Sequence, residues 1–304
     1  MSDQHGPTDR NRATGHRPAA GRPVPVSTYR LQVNADQTFA DVGAAAGYLA
    51  ALGASHAYLS PILAATPGST HGYDVLDHTR LSQDAGGREA FDGMVTALHA
   101  AGVRAVADVV PNHMTVPVPV RLNVPLWSVL REGPASPFAS WFDIDWGATR
   151  LTARTVDPGD EGVRSILMPV LGARIGQVLA EGELSVDHSG DEPVLRYYEH
   201  EFPVRPGTEH LPLADLVDRQ WYRLAHWKVG DSELNYRRFF DVGTLAAVRV
   251  EDPDVFEATH RLLLDLVRDG SLDGLRIDHP DGLADPRGYL RRLTDASGGA
   301  WVVV

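Results

Sequence analysis

The chain has 304 residues, of which 43% are hydrophobic, and it carries a formal net charge of −12. This acidic balance argues against nucleic acid and anionic membrane as partners. No apolar run in the sequence approaches the ~20 residues that a membrane span needs. The absence of cysteine from the sequence excludes disulfides, thiolate metal sites and a cysteine nucleophile, and it fits a cytoplasmic location. A neutral, hydroxyl-rich substrate is compatible with this composition.

The first 25 residues differ in composition from the rest of the chain. They are rich in glycine, proline and arginine, and they lack the apolar stretch of a signal peptide. A segment of this kind buries too little apolar surface to offset the entropy lost on ordering. The sequence therefore predicts a disordered tail over residues 1–25.

From Val26 onwards, strand patterns alternate with helix patterns. The predicted strands are 26–33, 56–61, 104–110, 272–279 and 300–304. The predicted helices are 39–52, 88–101, 252–267 and 285–293. Alternation at this spacing predicts an α/β fold with a parallel sheet. Polar residues gather at the C-terminal ends of the strands, which favours a barrel. An open, doubly wound sheet is the alternative, although the glycine-rich turn typical of its first strand is missing here.

A long interruption separates the third predicted strand from the helix that follows it. Within it, 183–186 and 194–198 have the pattern of short antiparallel strands, and 213–228 has the pattern of a helix. An interruption of this length is typical of a subdomain rather than a loop. We therefore predict that residues 114–240 form an inserted subdomain, and that residues 26–113 plus 241–304 form the barrel part.

The fourth predicted strand contains the strongest candidate for a catalytic group. Arg276 and Asp278 are two positions apart, so strand alternation directs both side chains to one face. A carboxylate beside a fixed guanidinium stays ionised at neutral pH, as a carboxylate nucleophile must. Asp108 lies on the corresponding face of the third strand, which ends in Asn112 and His113. A polar loop, predicted over 64–77, adds further candidates.

These residues belong to recognisable motifs. In chain order, the sequence resembles three motifs of the α-amylase superfamily of retaining glycoside hydrolases and transglycosylases, at His71–Asp74, Asp108–His113 and Gly274–Asp278. Within that superfamily, the resemblance is closest to the maltooligosyltrehalose synthase family. The segments that carry it are Ser60–Ile62, Gly68–Val75, Tyr222–Trp227, Asn235–Asp241 and His279–Leu283. The resemblance implies a (β/α)8 TIM barrel, of which this chain supplies the first five strands, with the insertion after strand three.

The resemblance also implies roles for individual residues. Asp278 is the expected nucleophile, and Arg276 keeps it ionised and oriented. Asp108 and Asn112 are expected to belong to the substrate-binding site, Asp108 in a supporting role. Four further residues of that site are expected to contact the sugar, namely His71, Tyr73, His113 and His279. Asn112 lies where many relatives ligate calcium. The accompanying ligands are not found in the insertion, so no metal and no cofactor is predicted.

The implied reaction turns the reducing-end α-1,4 linkage of a maltooligosaccharide into an α,α-1,1 linkage, by intramolecular transglycosylation with retention. This double displacement needs a second carboxyl group roughly 5–5.5 Å from the nucleophile. The family places that acid/base glutamate at the end of strand five, where this sequence stops. We therefore expect the chain to be an N-terminal portion that is inactive alone. The implied pathway partner is a maltooligosyltrehalose trehalohydrolase.

Three other functions are compatible with parts of the sequence. An α-amylase or 4-α-glucanotransferase is one, since some glucanotransferases share the Arg-Ile-Asp-His run of 276–279. A metal-dependent amidohydrolase is another, because the chain has 13 histidines, although no His-x-His follows the first strand. The third is a non-catalytic α-glucan-binding module. It predicts that glucan binding survives the loss of Asp278.

Overall fold

Five parallel strands form the centre of the molecule in a computed structural model that describes residues 24–147 and 165–304. The predicted tail at 1–25 therefore lies almost entirely outside the described residues. The strands are β1 (Thr28–Leu31), β2 (His56–Leu59), β3 (Arg104–Val109), β4 (Gly274–Ile277) and β5 (Trp301–Val303). They lie side by side in chain order and all run in the same direction.

Helices connect consecutive strands on the outside of this sheet. They are α1 (Phe39–Ala44), α2 (Ala46–Leu52), α3 (Gly87–Ala100), α4 (Pro253–Arg268) and α5 (Pro286–Ala296). The helix predicted over 39–52 is thus two helices that meet at Ala45. Thr38 and Asp41 form a capping box at the start of α1, and Gly53 ends α2 in the left-handed conformation that glycine adopts without strain. Asp252 and Asp285 cap α4 and α5, each followed by a proline in the first turn.

A β-hairpin follows β2 on the side where the strands end. Leu63–Ala65 pairs antiparallel with Val75–Leu81. The polar loop predicted over 64–77 is therefore wrong at both ends, because only residues 66–74 lie between the two strands. Leu63, Val75 and Leu81 are buried against the core, which is why these ends are ordered as strands. The remaining loop holds His71 and Tyr73 above the ends of β1 and β2.

Among the described residues between β3 and α4, the strands form three small sheets. His113–Thr115 pairs with Val242–Ala247, which also pairs with Arg238–Phe239. Ile166–Leu171 lies parallel to Tyr222–His226. The strands predicted near 183–186 and 194–198 are confirmed as Leu184–Asp187 and Val194–Tyr197, which form an antiparallel sheet with His200–Pro203. The short α-helices of this region are Val124–Glu132, Ile175–Ala180, Leu213–Asp218 and Gly230–Glu233. Short 3-10 helices lie at Val120–Leu122, Gly133–Ala135 and Trp227–Val229, and a fourth follows β4 at Pro280–Gly282.

The helix predicted over 213–228 is wrong beyond Asp218. The Gln220 side chain donates to the Leu216 carbonyl at 2.6 Å and accepts from the Arg205 amide at 2.7 Å, which ends the helix. The following residues form the strand Tyr222–His226, in which Tyr222 and Leu224 are buried and alternate with more exposed neighbours. Burial on one face of a sheet therefore outweighs local helix propensity here.

The two predicted boundaries of the inserted subdomain fall inside one sheet. His113–Thr115 continues past residue 113, and its partner strand Val242–Ala247 begins just after residue 240. Main-chain pairing thereby joins the two ends of the region between β3 and α4 at the point where β3 ends. Within residues 24–147 and 165–304, no helix combines the length and apolar character needed to cross a bilayer.

Candidate active site

Asp278 directly follows β4, at the end of the sheet where the other strands also terminate. Its amide donates to the Val109 carbonyl at 2.9 Å, so the main chain is fixed against the end of β3. Arg276 Nη1 donates to Asp278 Oδ1 at 2.6 Å. The two side chains therefore lie on one face of the strand, as the sequence predicts. Asp278 is 8% exposed. The carboxyl group is thus held in place by a cation and lies at the rim of the sheet.

Asp108 anchors the same arginine from the neighbouring strand. Its Oδ1 and Oδ2 accept from Arg276 Nη1 at 3.0 and 3.2 Å. Burial lowers the pKa of Arg276, but the hydrogen bond to Asp108 and its charge outweigh this and raise the pKa above its ordinary value. The Asp108 side chain is 0% exposed. It therefore acts on the site through Arg276, in the supporting role that the resemblance implies.

Two tyrosines also form hydrogen bonds with Asp108. Tyr58 and Tyr73 donate their hydroxyls to Asp108 Oδ2 at 2.8 and 2.6 Å. Arg30 Nη2 in turn donates to the Tyr73 hydroxyl at 3.2 Å. Burial, followed by the hydrogen bond to Asp108, raises the pKa of both tyrosines, so both remain neutral donors. Tyr73 is consequently fixed at one end, and its ring borders the space above the sheet.

Arg30 and Tyr58 were missed as site residues in the sequence. In the structure, β1 and β2 pair with Arg30 opposite Tyr58, a register that the sequence alone does not give. The Arg30 guanidinium lies 5.6 Å from the centre of the Tyr58 ring. Each residue sits within a strand rather than in a motif at its end, so a search confined to strand ends passes over both.

His113 contacts Tyr73 from below. Its Nε2 lies 3.0 Å from the Tyr73 carbonyl, and because a carbonyl only accepts, Nε2 carries the proton. Burial lowers the pKa of His113 to about 4, so the ring is neutral at neutral pH. Its Nδ1 is buried and has no hydrogen-bond partner among the residues that the structure describes. His113 thus orients the Tyr73 loop.

His71 lies at the open side of the site. Its Nδ1 accepts from the Tyr73 amide at 3.1 Å and lies 3.6 Å from Asp74 Oδ1. The side chain is 54% exposed. Of the four residues predicted to contact a sugar, His71 and His279 are the two whose rings are open to solvent.

His279 and Phe240 form an aromatic edge next to Asp278. Both have positive φ angles, +41° and +49°, which are uncommon for residues with large side chains. Their rings meet edge to face with centroids 5.1 Å apart, and the Phe239 ring lies 5.5 Å from that of His279. Phe240 is 63% exposed. Non-glycine residues in this backbone region concentrate at functional sites.

Asn112 binds an arginine. Its Oδ1 accepts from Arg237 Nη1 at 3.0 Å, and the same nitrogen donates to the Gly282 carbonyl at 2.8 Å. Across residues 24–147 and 165–304, no three histidine, aspartate or glutamate side chains form a group suited to a metal ion. The second carboxyl group of this network is the enclosed Asp108, which leaves Asp278 as the candidate nucleophile.

Comparison with known proteins agrees with this geometry. A profile of the α-amylase catalytic domain matches residues 42–119. A Mycobacterium tuberculosis protein assigned to the maltooligosyl trehalose synthases is 38% identical over 287 residues. That match covers 92% of this chain and 34% of the relative. The intracellular maltogenic amylase of Bacillus subtilis is 36% identical, but over only 32% of this chain.

Solved structures give the same family. The maltooligosyltrehalose synthase of Arthrobacter ramosus superposes with a TM-score of 0.81 at 43% identity, over 91% of this chain and 34% of that one. A second maltooligosyl trehalose synthase gives a TM-score of 0.80 at 36% identity, over 92% and 35%. The resemblance found in the sequence is confirmed, as is an α/β fold of the α-amylase type. The chain spans about a third of the length of the relatives it matches.

Proposed function

Because this chain is homologous to about a third of each maltooligosyl trehalose synthase, we propose that it carries the nucleophile of that reaction. The observation that carries the proposal is the Arg276–Asp278 pair at the end of β4, with Nη1 and Oδ1 2.6 Å apart. The five parallel strands are, in this proposal, the first five of an eight-stranded barrel. Maltooligosaccharides are the substrate class.

The reaction begins at the anomeric carbon of the glucose next to the reducing end. One oxygen of Asp278 attacks that carbon, the α-1,4 bond breaks, and the reducing-end glucose leaves with a proton from a general acid. That glucose then turns, and its own anomeric hydroxyl attacks the glycosyl–Asp278 ester. The hydroxyl proton returns to the conjugate base of the acid. The product holds an α,α-1,1 linkage, with no net hydrolysis.

The described residues have defined parts in this scheme. Arg276 stabilises the Asp278 carboxylate when the ester breaks, because the negative charge returns to a group that already faces a cation. The Tyr73 ring and the His279–Phe240 edge offer apolar faces against which the sugar rings can lie. The exposed His71 offers a hydrogen-bonding group to sugar hydroxyls.

A direct test is covalent trapping of Asp278. A maltosyl fluoride with a second fluorine at C5 forms a glycosyl ester that breaks down slowly, and its fluoride leaves without a proton from the acid. We expect intact-protein mass spectrometry to show one added maltosyl group, and peptide mapping to place it on Asp278. Asp278→Asn is the matched control and is expected to stay unlabelled. Labelling of another residue, or none, would refute the assignment.

Product analysis distinguishes this reaction from its neighbours in the superfamily. The similarity to the B. subtilis amylase favours hydrolysis as the second candidate. In a longer protein that also supplies the acid/base carboxyl group, maltopentaose gives the distinction. A non-reducing product indicates the mutase, shorter reducing sugars indicate hydrolysis, and longer ones indicate 4-α-glucanotransfer. A non-catalytic glucan-binding module would bind maltopentaose equally well after Asp278→Asn and form no ester with the fluoride reagent.

The pathway context follows from the product. A terminal α,α-1,1 linkage is the substrate of a maltooligosyltrehalose trehalohydrolase, which we propose as the enzyme acting next. We also propose the cytoplasm as the compartment, since a sequence without cysteine suits a reducing environment.

A further inference from the structure

Arg237 connects three segments that are far apart in the sequence. Its Nη1 donates to Asn112 Oδ1 at 3.0 Å and to the Gly282 carbonyl at 2.8 Å. Its Nε donates to Asp143 Oδ2 at 3.0 Å. One guanidinium thus joins the segment after β3, the turn after β4 and the insertion.

The three oxygens that Arg237 contacts are an amide, a main-chain carbonyl and a carboxylate. These three oxygens all accept hydrogen bonds from one guanidinium group. The backbone of Arg237 is fixed as well, because its amide donates to the Asp143 carbonyl at 3.0 Å and its carbonyl accepts from the Ala247 amide at 2.7 Å. The guanidinium is therefore a rigid cross-link rather than a flexible surface charge.

The turn that receives this cross-link begins at the nucleophile. Gly282 lies four residues after Asp278, and its amide donates to the His279 carbonyl at 3.2 Å. A methyl group at position 282 would collide with the Asn112 amide nitrogen, so the turn lies directly on that side chain. Asp278 is thus fixed on one side by β4 and on the other by a turn that Arg237 fastens to Asn112.

We propose that Arg237 is a positioning residue for the nucleophile, which sets the place of the Asp278 carboxylate by fastening the turn at 280–282 to the end of β3. This inference rests on the proposed function of Asp278. It assigns to the insertion a part in catalysis, since the fastening group comes from the Asn235–Asp241 segment and not from a barrel strand. Without it, Asp278 keeps its contact with Arg276 but loses the support of the turn.

The experiment compares trapping rates in the full 304-residue chain. Arg237→Ala is expected to slow labelling of Asp278 by the fluoride reagent by up to about 100-fold, because a displacement of about 1 Å in a reacting group can cost that much. The half-saturating reagent concentration should change less than the rate. Free guanidinium at millimolar concentration should restore part of the rate, whereas ammonium should not. Arg237→Lys should be slower than wild type, because one ammonium cannot reproduce the forked contacts.

The neighbouring arginine provides the matched control. Arg238 pairs with the exposed carboxylates of Asp231 and Asp241 and makes no contact with Asn112 or Gly282 in the described part of the chain. Arg238→Ala should therefore label at the wild-type rate. A second pair of variants tests the turn while leaving Arg237 in place. Gly282→Ala should slow labelling, because its methyl group would collide with Asn112. Gly243→Ala should not, because its methyl group would meet no atom within 4 Å.

A readout that needs no catalysis separates this inference from the proposed function. Hydrogen exchange followed by mass spectrometry should show faster exchange of the 278–283 amides in Arg237→Ala than in Arg238→Ala. If the wild-type chain is never labelled, the proposed function fails. Hydrogen exchange alone then decides whether Arg237 holds the turn at 280–282 in place. Two results would overturn the positioning role. One is that Arg237→Ala is labelled and exchanges its 278–283 amides at the wild-type rates. The other is that its labelling is slow and guanidinium does not speed it.

Discussion

Three buried histidines are expected to make this protein lose stability at mildly acidic pH. Burial lowers the pKa of His78 and His113 to about 4 and that of His260 to about 3. In the unfolded chain the same side chains have a pKa of about 6.5. The unfolded state therefore binds more protons as the pH falls below 6.5, and folding stability is lost in that range.

The surroundings of His260 show why the folded protein excludes the proton. Nδ1 lies 3.1 Å from the Phe256 carbonyl, which can only accept, so Nε2 is left to accept from the Tyr289 hydroxyl at 2.8 Å. The ring stacks on Phe256, and the nearby charge of Arg292 lowers the pKa further. A proton on Nε2 would break the bond from Tyr289 and bury an unpaired charge.

The size of the effect follows from these pKa values. Between about pH 7 and about pH 5, each histidine lowers the free energy of unfolding by about 2 kcal/mol, so the three together cost on the order of 5 kcal/mol. This is comparable to the whole stability of a small domain. Burial also lowers the pKa of His56 and His200, which act in the same direction.

The assay is urea unfolding followed by circular dichroism at several pH values in that range. His260→Phe removes one titrating ring and should reduce the pH slope by about a third, whatever it does to stability at neutral pH. A slope no steeper than that of a single proton, or an unchanged slope in His260→Phe, would refute the reasoning.

Three further changes test the network and the packing. Asp108→Asn removes the charge that holds Arg276 in place, so it should cost about 3–5 kcal/mol in urea unfolding and slow the trapping of Asp278 at least ~100-fold; a wild-type trapping rate would contradict this. Tyr58→Phe removes one hydroxyl donor to the same carboxylate and should cost about 1–3 kcal/mol by the same measurement, and a neutral result would show that this bond adds nothing. Gly133→Ala should lower the thermal midpoint, with a cost of about 1–3 kcal/mol, because its methyl group would collide with the Trp221 ring at a φ of +63°. Gly176→Ala, which meets nothing within 4 Å inside a short helix, should be neutral or slightly stabilising; equal losses in the two variants would rule out the collision.

The elements around the five-stranded sheet could be predicted from sequence because each carries two signals. Glycine ends α2 and lies one residue past the cap of α3, aspartate and proline begin α4 and α5, and the strands between them are apolar runs. The region between β3 and α4 carries weaker signals. Tyr222–His226 has the composition of either a helix or a strand, and only its pairing with Ile166–Leu171 decides between them.

The site divides in the same way. Asp278, Arg276 and Asp108 were predictable because they lie at strand ends, where alternation fixes the face. Arg237 was not, since its significance depends on Asn112, which is 125 residues away in the sequence. A local sequence pattern cannot reveal a contact between residues so far apart.

The contacts that hold Asp278 and Arg276 in place join residues that are far apart in the sequence. Arg276 and Asp108 are separated by 168 residues, and Tyr58 and Asp108 by 50. Contacts over such separations require the chain between them to close into loops, at a cost in conformational entropy. The network of Asp108, Arg276 and Asp278 therefore depends on strands β3 and β4 being paired, with Tyr58 supplied by β2. No short fragment around Asp278 can acquire this arrangement by itself.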